Sequence, residues 1–122
     1  MNEKKVFCYI SLKKDLSRVN YQYNKLFTEF SKNFKKFYIL DLSNLRNFEK
    51  KGFASINKKS FPKNFEIIRF NNSSELLKFG KNKKVIAIAN EITKSPSDFK
   101  INFLLKRINA SLIMINFNGG FG

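Results

Sequence analysis

Lys5–Leu12 reads KVFCYISL, an apolar run of strand length that is rich in β-branched and aromatic residues. Polar and apolar residues do not alternate in it, and such runs are typical of strands buried on both faces, as in a parallel sheet. Similar runs follow at Phe37–Leu42, Phe65–Phe70, Lys84–Ala89 and Ser111–Phe117. The sequence therefore predicts five buried strands, with the first and the fourth at the centre of the sheet.

Helical patterns lie between these strands. Apolar residues recur at helical spacing from Val19 to Phe34, as on one face of an amphipathic helix. Asn72 and Glu75 have the spacing of a capping box, and Gly80 is placed to end the short helix that follows. Ser95–Asp98 has the composition of a further helix start, so Asp98 is expected to act as a capping residue.

Alternation of strands and helices favours parallel strands joined by right-handed crossovers. We therefore predict an α/β fold: a three-layer domain, Rossmann-like or flavodoxin-like, with a mainly parallel sheet of about five strands. At 122 residues the chain has the size of a single domain. A final strand that runs into Asn118–Gly122 normally leads to another helix. We therefore give equal weight to the alternative that the chain is the truncated N-terminal half of a larger enzyme.

The polar stretch 43–64 is expected to be an exposed excursion, with a short helix near Leu45–Lys50. It carries Phe48, Phe53 and Phe61 among lysines. Aromatic rings between cations suit contact with an anionic membrane surface, but packing of the rings over the core is the favoured alternative.

Residues that are missing exclude several kinds of chemistry. The chain has no histidine and a single cysteine, Cys8, which excludes histidine triads and histidine-ligated metals for this chain alone and predicts a core thiol. The loop after the first strand, Ser11–Ser17, contains no glycine, and no P-loop motif exists. Dinucleotide and ATPase functions are therefore disfavoured, and we expect no cofactor.

The net charge of +15 would attract a polyanion. Lysine, asparagine, isoleucine, phenylalanine and tyrosine, which dominate the chain, all have AT-rich codons, so codon bias is a second explanation. Lysine also outnumbers arginine 20 to 4, whereas specific phosphate recognition favours arginine. We favour a solvated surface and do not expect nucleic acid as a partner.

No apolar run has the length of a membrane span or a signal peptide, and we expect a cytoplasmic protein, with peripheral contact to the inner face of the membrane as an option.

Ligands of open parallel sheets collect outside the carboxyl ends of the strands. That rule selects, as candidate ligand-binding residues, Ser11, Lys13, Asn90, Asn118, Gly119 and Gly120, with Asp41, Ser43 and Asn71 as further polar residues at strand ends. Glu91 follows a central strand and is the candidate general base. For most of these residues the favoured interpretation is a turn or a cap; for Glu91 it is a helix-initiating or lysine-paired carboxylate.

Several of these segments together resemble the N-terminal half of a GT-B-type glycosyltransferase of the kind that assembles bacterial surface polysaccharides. They are the strand Val6–Ser11, the helix with Asn20, Asn24 and Leu26, the strand Tyr38–Leu42 and the end at Asn118–Gly120. The resemblance lies in architecture and includes no diagnostic motif. It implies that this domain binds a sugar acceptor and that a second domain, absent here, makes most contacts to a nucleotide-sugar donor. The chain alone is then expected to be inactive. The alternative is a non-catalytic Rossmann-like module that binds a polyanion, either nucleic acid or an anionic membrane surface.

Overall fold

A computed structural model of the chain describes residues 4–12, 24–45, 61–89 and 98–114. Within these residues the strands are β1 (Lys4–Ser11), β2 (Phe37–Asp41), β3 (Phe65–Arg69), β4 (Lys83–Ala89) and β5 (Ser111–Met114). The helices are α1 (Asn24–Asn33), α2 (Ser73–Gly80) and α3 (Phe99–Arg107), with one 3₁₀ turn at Ser43–Leu45. Each described strand and α-helix lies where the sequence predicts one. The 3₁₀ turn at Ser43–Leu45 differs from the prediction, because its three residues are buried, whereas 43–64 was expected to be exposed. The predicted short helix near Leu45–Lys50 lies almost wholly outside the described residues.

The strands form one sheet in the order β3-β2-β1-β4-β5, and every pair is parallel. The prediction of a five-stranded parallel sheet with β1 and β4 at its centre is confirmed. The order is that of the Rossmann fold, not the flavodoxin order. The chain steps outward from β1 to β3, then returns across the sheet to β4, so the direction of connection reverses between β1 and β4.

The sheet is covered on both faces, which confirms the three-layer arrangement. One face, here called the α2/α3 face, packs Cys8, Ile10, Leu40, Val85 and Ala87 against Leu76 of α2 and Ile101, Leu104 and Leu105 of α3. The opposite α1 face packs Tyr9, Phe37, Ile39 and Phe65 against Phe27 of α1 and Phe61. Successive strand residues point to opposite faces, so odd-numbered residues of β1, β2 and β3 belong to the α1 face.

Aromatic rings fill most of the α1 face. The ring of Phe27 lies 5.4 Å from that of Tyr9, 6.1 Å from that of Phe61 and 5.6 Å from that of Phe65, measured between centroids. Phe61 is buried, so the prediction that it packs over the core is confirmed. Phe48 and Phe53 lie outside the described residues.

β5 departs from the sequence prediction, which had it buried. Its four residues are all exposed; Ile113 and Met114 are 50% and 49% exposed. Within the described residues β5 is the edge of the sheet and pairs with β4 alone, which explains the exposure. Residues 115–117 of the predicted strand lie outside the described part. β4 is also fully buried on one face only, since Ile86 and Ile88 are partly exposed.

Two helix starts show how far local sequence predicts geometry. At α2, the Asn72 side chain accepts a hydrogen bond from the backbone N–H of Glu75 (3.0 Å), as the capping-box pattern predicts. The Glu75 carboxylate accepts from the N–H of Asn71 (2.6 Å). At α3, Asp98 occupies the N-cap position, so the predicted acid at this helix start is confirmed. Its buried side chain makes no capping hydrogen bond, however, so a cap formed by the Asp98 side chain is not confirmed. Ser95–Ser97 lie outside the described residues.

Candidate functional site

The reversal of connection direction between β1 and β4 places the ligand crevice of this fold at the carboxyl ends of these two strands. Ser11, the last residue of β1, is buried at this point. Its carbonyl oxygen accepts a hydrogen bond from the N–H of Leu42 (2.9 Å), which fixes where the chain leaves β2. The other predicted ligand-binding residues, Lys13, Asn90, Asn118, Gly119 and Gly120, and the candidate base Glu91 lie outside the described residues.

A buried polar row follows Ser11 across the carboxyl edge. The pairing registers Ser11↔Asp41 and Asp41↔Arg69 place these residues side by side on the α1 face. The Nε–H of Arg69 donates to Oδ2 of Asp41 at 2.6 Å, and the N–H of Ser43 donates to Oδ1 at 2.9 Å. Asp41 is 0% exposed and the Arg69 side chain 14%. Since protein donors engage both carboxylate oxygens, Asp41 anchors the ends of β2 and β3 and is not open to a ligand.

The 3₁₀ turn after β2 brings neutral polar groups to the same edge. The Asn44 side chain donates to the Asn71 side-chain oxygen at 3.3 Å and ties this turn to the loop that precedes α2. Ser43 is 1% exposed, and its buried hydroxyl has no hydrogen-bond partner among the described residues. A buried hydroxyl without a partner costs about 1–3 kcal/mol, so Ser43 is a group that a water molecule or a ligand hydroxyl would satisfy.

Ser11, Asp41, Ser43 and Asn71 are each predicted from the sequence as polar residues at strand ends, and the sheet brings them to one edge. The pairing of Arg69 with Asp41 is not predicted. The signal was present, because an aspartate and an arginine end consecutive apolar strands, and the ends of adjacent parallel strands lie side by side.

Cys8 lies in the core on the α2/α3 face and is 0% exposed. Burial raises the pKa of its thiol to about 12, so the thiol stays protonated and unreactive at neutral pH. The prediction of a core cysteine is confirmed.

In the described parts of the chain, no group of three or more Cys, Asp or Glu side chains could hold a metal ion. None of the described helices is both long and apolar enough to cross a membrane.

The amino edge of the sheet has a different chemistry. Lys4 and Lys5 begin β1 directly beside Lys83 and Lys84, which begin β4. No aspartate or glutamate occurs at 76–89 or 99–114, the segments that form most of α2, β4, α3 and β5. These two lysine pairs are far apart in the sequence, and the parallel pairing of β1 with β4 brings them side by side.

The fold and its two polar edges define a Rossmann-like α/β domain. Comparison of the chain with models of protein families, with curated proteins and with solved structures gives no match.

Proposed function

We propose that this chain is the acceptor-side domain of a GT-B-type sugar-transfer enzyme in surface polysaccharide biosynthesis. The observation that carries the proposal is the composition of the carboxyl edge, where Ser11, Ser43, Asn44 and Asn71 are neutral hydroxyl and amide groups. The one carboxylate of the buried row, Asp41, is occupied by Arg69 and the Ser43 N–H. Neutral donors and acceptors match the hydroxyls of a sugar, and the loop after β1 has no glycine motif for a nucleotide phosphate.

The resemblance supplies the reaction. A hydroxyl of the acceptor, bound at this edge, attacks the anomeric carbon of a nucleotide-sugar donor held by a second domain. The new C–O bond forms as the bond to the nucleotide breaks, and a base removes the proton of the attacking hydroxyl. Glu91 is the candidate for that base. The described domain positions the acceptor and does not by itself complete the reaction.

The test is an NMR titration of the 122-residue chain with neutral mono- and disaccharides. We expect backbone shifts at Ser11, Ser43 and Asn71, and little change at the amino edge. Ser43→Ala removes one hydrogen-bonding group and should weaken binding about 2- to 10-fold. Ser111→Ala is the matched control, since Ser111 is an exposed serine at the start of β5, where it pairs with Ile86 in the middle of β4. Shifts confined to the amino edge, or equal effects of the two substitutions, would contradict the proposal.

A second candidate is a non-catalytic module that binds a polyanion. The lysines that begin β1 and β4 side by side favour it. Its test is binding to heparin over a range of salt concentrations. Contact with several phosphate or sulfate groups gives an affinity that falls steeply and linearly on a logarithmic salt scale. Retention at raised salt would support this candidate, and release at low salt would leave the charge as a solvated surface.

A further inference from the structure

The C-terminal ends of α2 and α3 meet at the amino edge and form a cleft of about 350 Å³ that is open to solvent. Lys81, Asn82, Lys83, Arg107 and Asn109 form its polar lining. The cleft is built entirely from described residues and contains no acidic side chain.

Gly80 brings the two helix ends this close. A Cβ atom at Gly80 would lie 2.6 Å from Cβ of Ile108 and 2.7 Å from its Cγ2, so any larger residue would push the helices apart. Asn82 and Asn109 have φ angles of 60° and 55° and turn the chain sharply after each helix. Asparagine tolerates this left-handed conformation better than most residues. The local sequence therefore specifies the cleft through both turns and the glycine.

Two of the lysines beside the cleft already have structural partners. Lys83 Nζ donates to the carbonyl oxygen of Phe79 at 2.8 Å and lies 4.4 Å from the centre of the Phe79 ring. Lys84 Nζ donates to the carbonyl oxygen of Asn109 at 3.0 Å. Cations are favourable at helix C-termini, and these contacts explain the two lysines without any ligand.

Lys81 and Arg107 do not take part in contacts of this kind. Both are exposed, and neither side chain has a hydrogen-bond or ion-pair partner among the described residues. The helix ends already have backbone partners, since the N–H of Lys81 donates to the carbonyl of Lys78 and the N–H of Ile108 to that of Leu104. The cleft thus holds more positive charge than its own helix ends neutralise.

We propose that this cleft binds a phosphate group. Lys83 supplies an ammonium fixed by its contacts to Phe79, Lys81 a second cation, and Arg107 a planar guanidinium that can hold two phosphate oxygens at once. The side-chain amides of Asn82 and Asn109 add neutral donors. The ligand is a phosphate ester or a diphosphate, carried either by a soluble metabolite or by a lipid headgroup.

This site lies at the edge opposite the proposed acceptor site, so it does not rest on the sugar-transfer proposal. Compared with the second candidate function, which is binding of a polyanion in general, the proposal specifies a single phosphate group as the ligand and the cleft as its site. Failure of either sugar binding or heparin binding would leave the proposal about the cleft intact.

The experiment compares two charge-matched double variants of the full chain, with inorganic pyrophosphate as the probe in isothermal titration calorimetry at fixed ionic strength. Lys81→Ala/Arg107→Ala removes two cations from the cleft. Lys25→Ala/Lys35→Ala removes two exposed cations from α1 and the segment after it, neither with a side-chain partner among the described residues. Both variants lower the net charge by two, so an effect of overall charge would be equal in both.

We expect pyrophosphate affinity to fall about tenfold or more in the cleft variant, as for loss of a charge-assisted hydrogen bond, and less than about twofold in the control. Arg107→Lys keeps the positive charge but removes the planar guanidinium that can hold two phosphate oxygens. Its pyrophosphate affinity should therefore fall less than that of the Lys81→Ala/Arg107→Ala variant. Circular dichroism spectra establish that each variant is folded. Equal losses in the two double variants would overturn the proposal.

A second set of measurements distinguishes the two sources of phosphate. Sedimentation with vesicles of phosphatidylcholine, with or without phosphatidylglycerol, tests the lipid headgroup. Binding to the anionic vesicles that is lost only in the cleft variant supports the site with a lipid as its ligand. Binding of pyrophosphate without vesicle binding supports a soluble ligand. If neither probe binds the unsubstituted chain, the proposal is wrong.

Discussion

Replacing Asp41 by asparagine tests whether the buried row at the carboxyl edge is a structural anchor. The substitution keeps the shape of the side chain and removes its charge, so Arg69, with only 14% of its side chain exposed, loses the carboxylate of Asp41. The asparagine oxygen can still accept from Arg69 or from the Ser43 N–H, but its NH₂ group then faces the other donor. Ser43, and the turn that carries it, should therefore shift.

The expected cost follows from burial and distance. Two unit charges about 4 Å apart attract by about 4 kcal/mol at the effective dielectric constant typical of protein sites. Removing one partner of a buried pair typically costs about 3–5 kcal/mol, because the remaining charge stays uncompensated. The partial exposure of Arg69 lets water reduce this penalty, so we expect Asp41→Asn to lower the free energy of unfolding by about 3 kcal/mol.

Urea denaturation of Asp41→Asn, Arg69→Gln and the double variant gives the coupling between the two residues. Urea is the right denaturant because guanidinium would screen the charges. We expect the double variant to be about 2 kcal/mol more stable than the sum of the single effects predicts. A coupling below about 1 kcal/mol would refute the reasoning and would free Asp41 for a role in ligand binding.

An exposed ion pair near the amino ends of β2 and β3 provides a matched control for the buried pair. Lys36 Nζ and Glu66 Oε1 are 3.1 Å apart, but their side chains are 53% and 42% exposed. The hydrogen bond and the charge of Glu66 raise the pKa of Lys36, although solvent screens an exposed pair. A double-mutant cycle with Lys36→Met and Glu66→Gln should give no resolvable coupling free energy. A coupling equal to that between Asp41 and Arg69 would show that burial is not the cause of the strong coupling.

Three further substitutions or reactions test particular contacts. Gly80→Ala should lower the free energy of unfolding by about 1–3 kcal/mol, because its Cβ would overlap Ile108; unchanged stability in urea would mean that the helices separate freely. Asn72→Ala should cost about 1 kcal/mol through loss of the cap at α2, and no change in thermal unfolding would contradict that role. Since burial raises the pKa of Cys8 to about 12, its thiol should react with Ellman's reagent only after unfolding; a fast reaction of the native protein would show that the core opens.

The architecture was predictable because it depends on short-range patterns. β1 and β4 are recognisable as apolar runs with little alternation, and α2 by its capping residues. The burial of β5 was predicted wrongly because an apolar strand carries no local signal of its place in the sheet. Leu112, Ile113 and Met114 have the composition of an interior strand, and only the strand order shows that β5 has one described neighbour.

The candidate sites were predictable only in part, for a related reason. The rule of carboxyl ends selects single residues such as Ser43 from the sequence, whereas the contact between Asp41 and Arg69 spans 28 positions and depends on register. The cleft at Gly80 and Arg107 was not predicted at all. Its residues come from two helix ends, and nothing local in either segment indicates that they meet.

The two proposed sites are consistent because a parallel sheet collects all strand starts at one edge and all strand ends at the other. Lysines begin β1 and β4, whereas serine ends β1 and neutral residues follow β2, so the fold turns this regularity into a basic edge and a neutral polar edge. The seven residues of β4 separate the edges by about 20 Å at the rise of a strand. That distance is about twice the Debye length in physiological salt, so charges at one edge have little effect at the other. Removing Lys81 and Arg107 should therefore leave saccharide binding at the carboxyl edge unchanged, and a parallel loss of both activities would mean that the two edges do not bind their ligands independently.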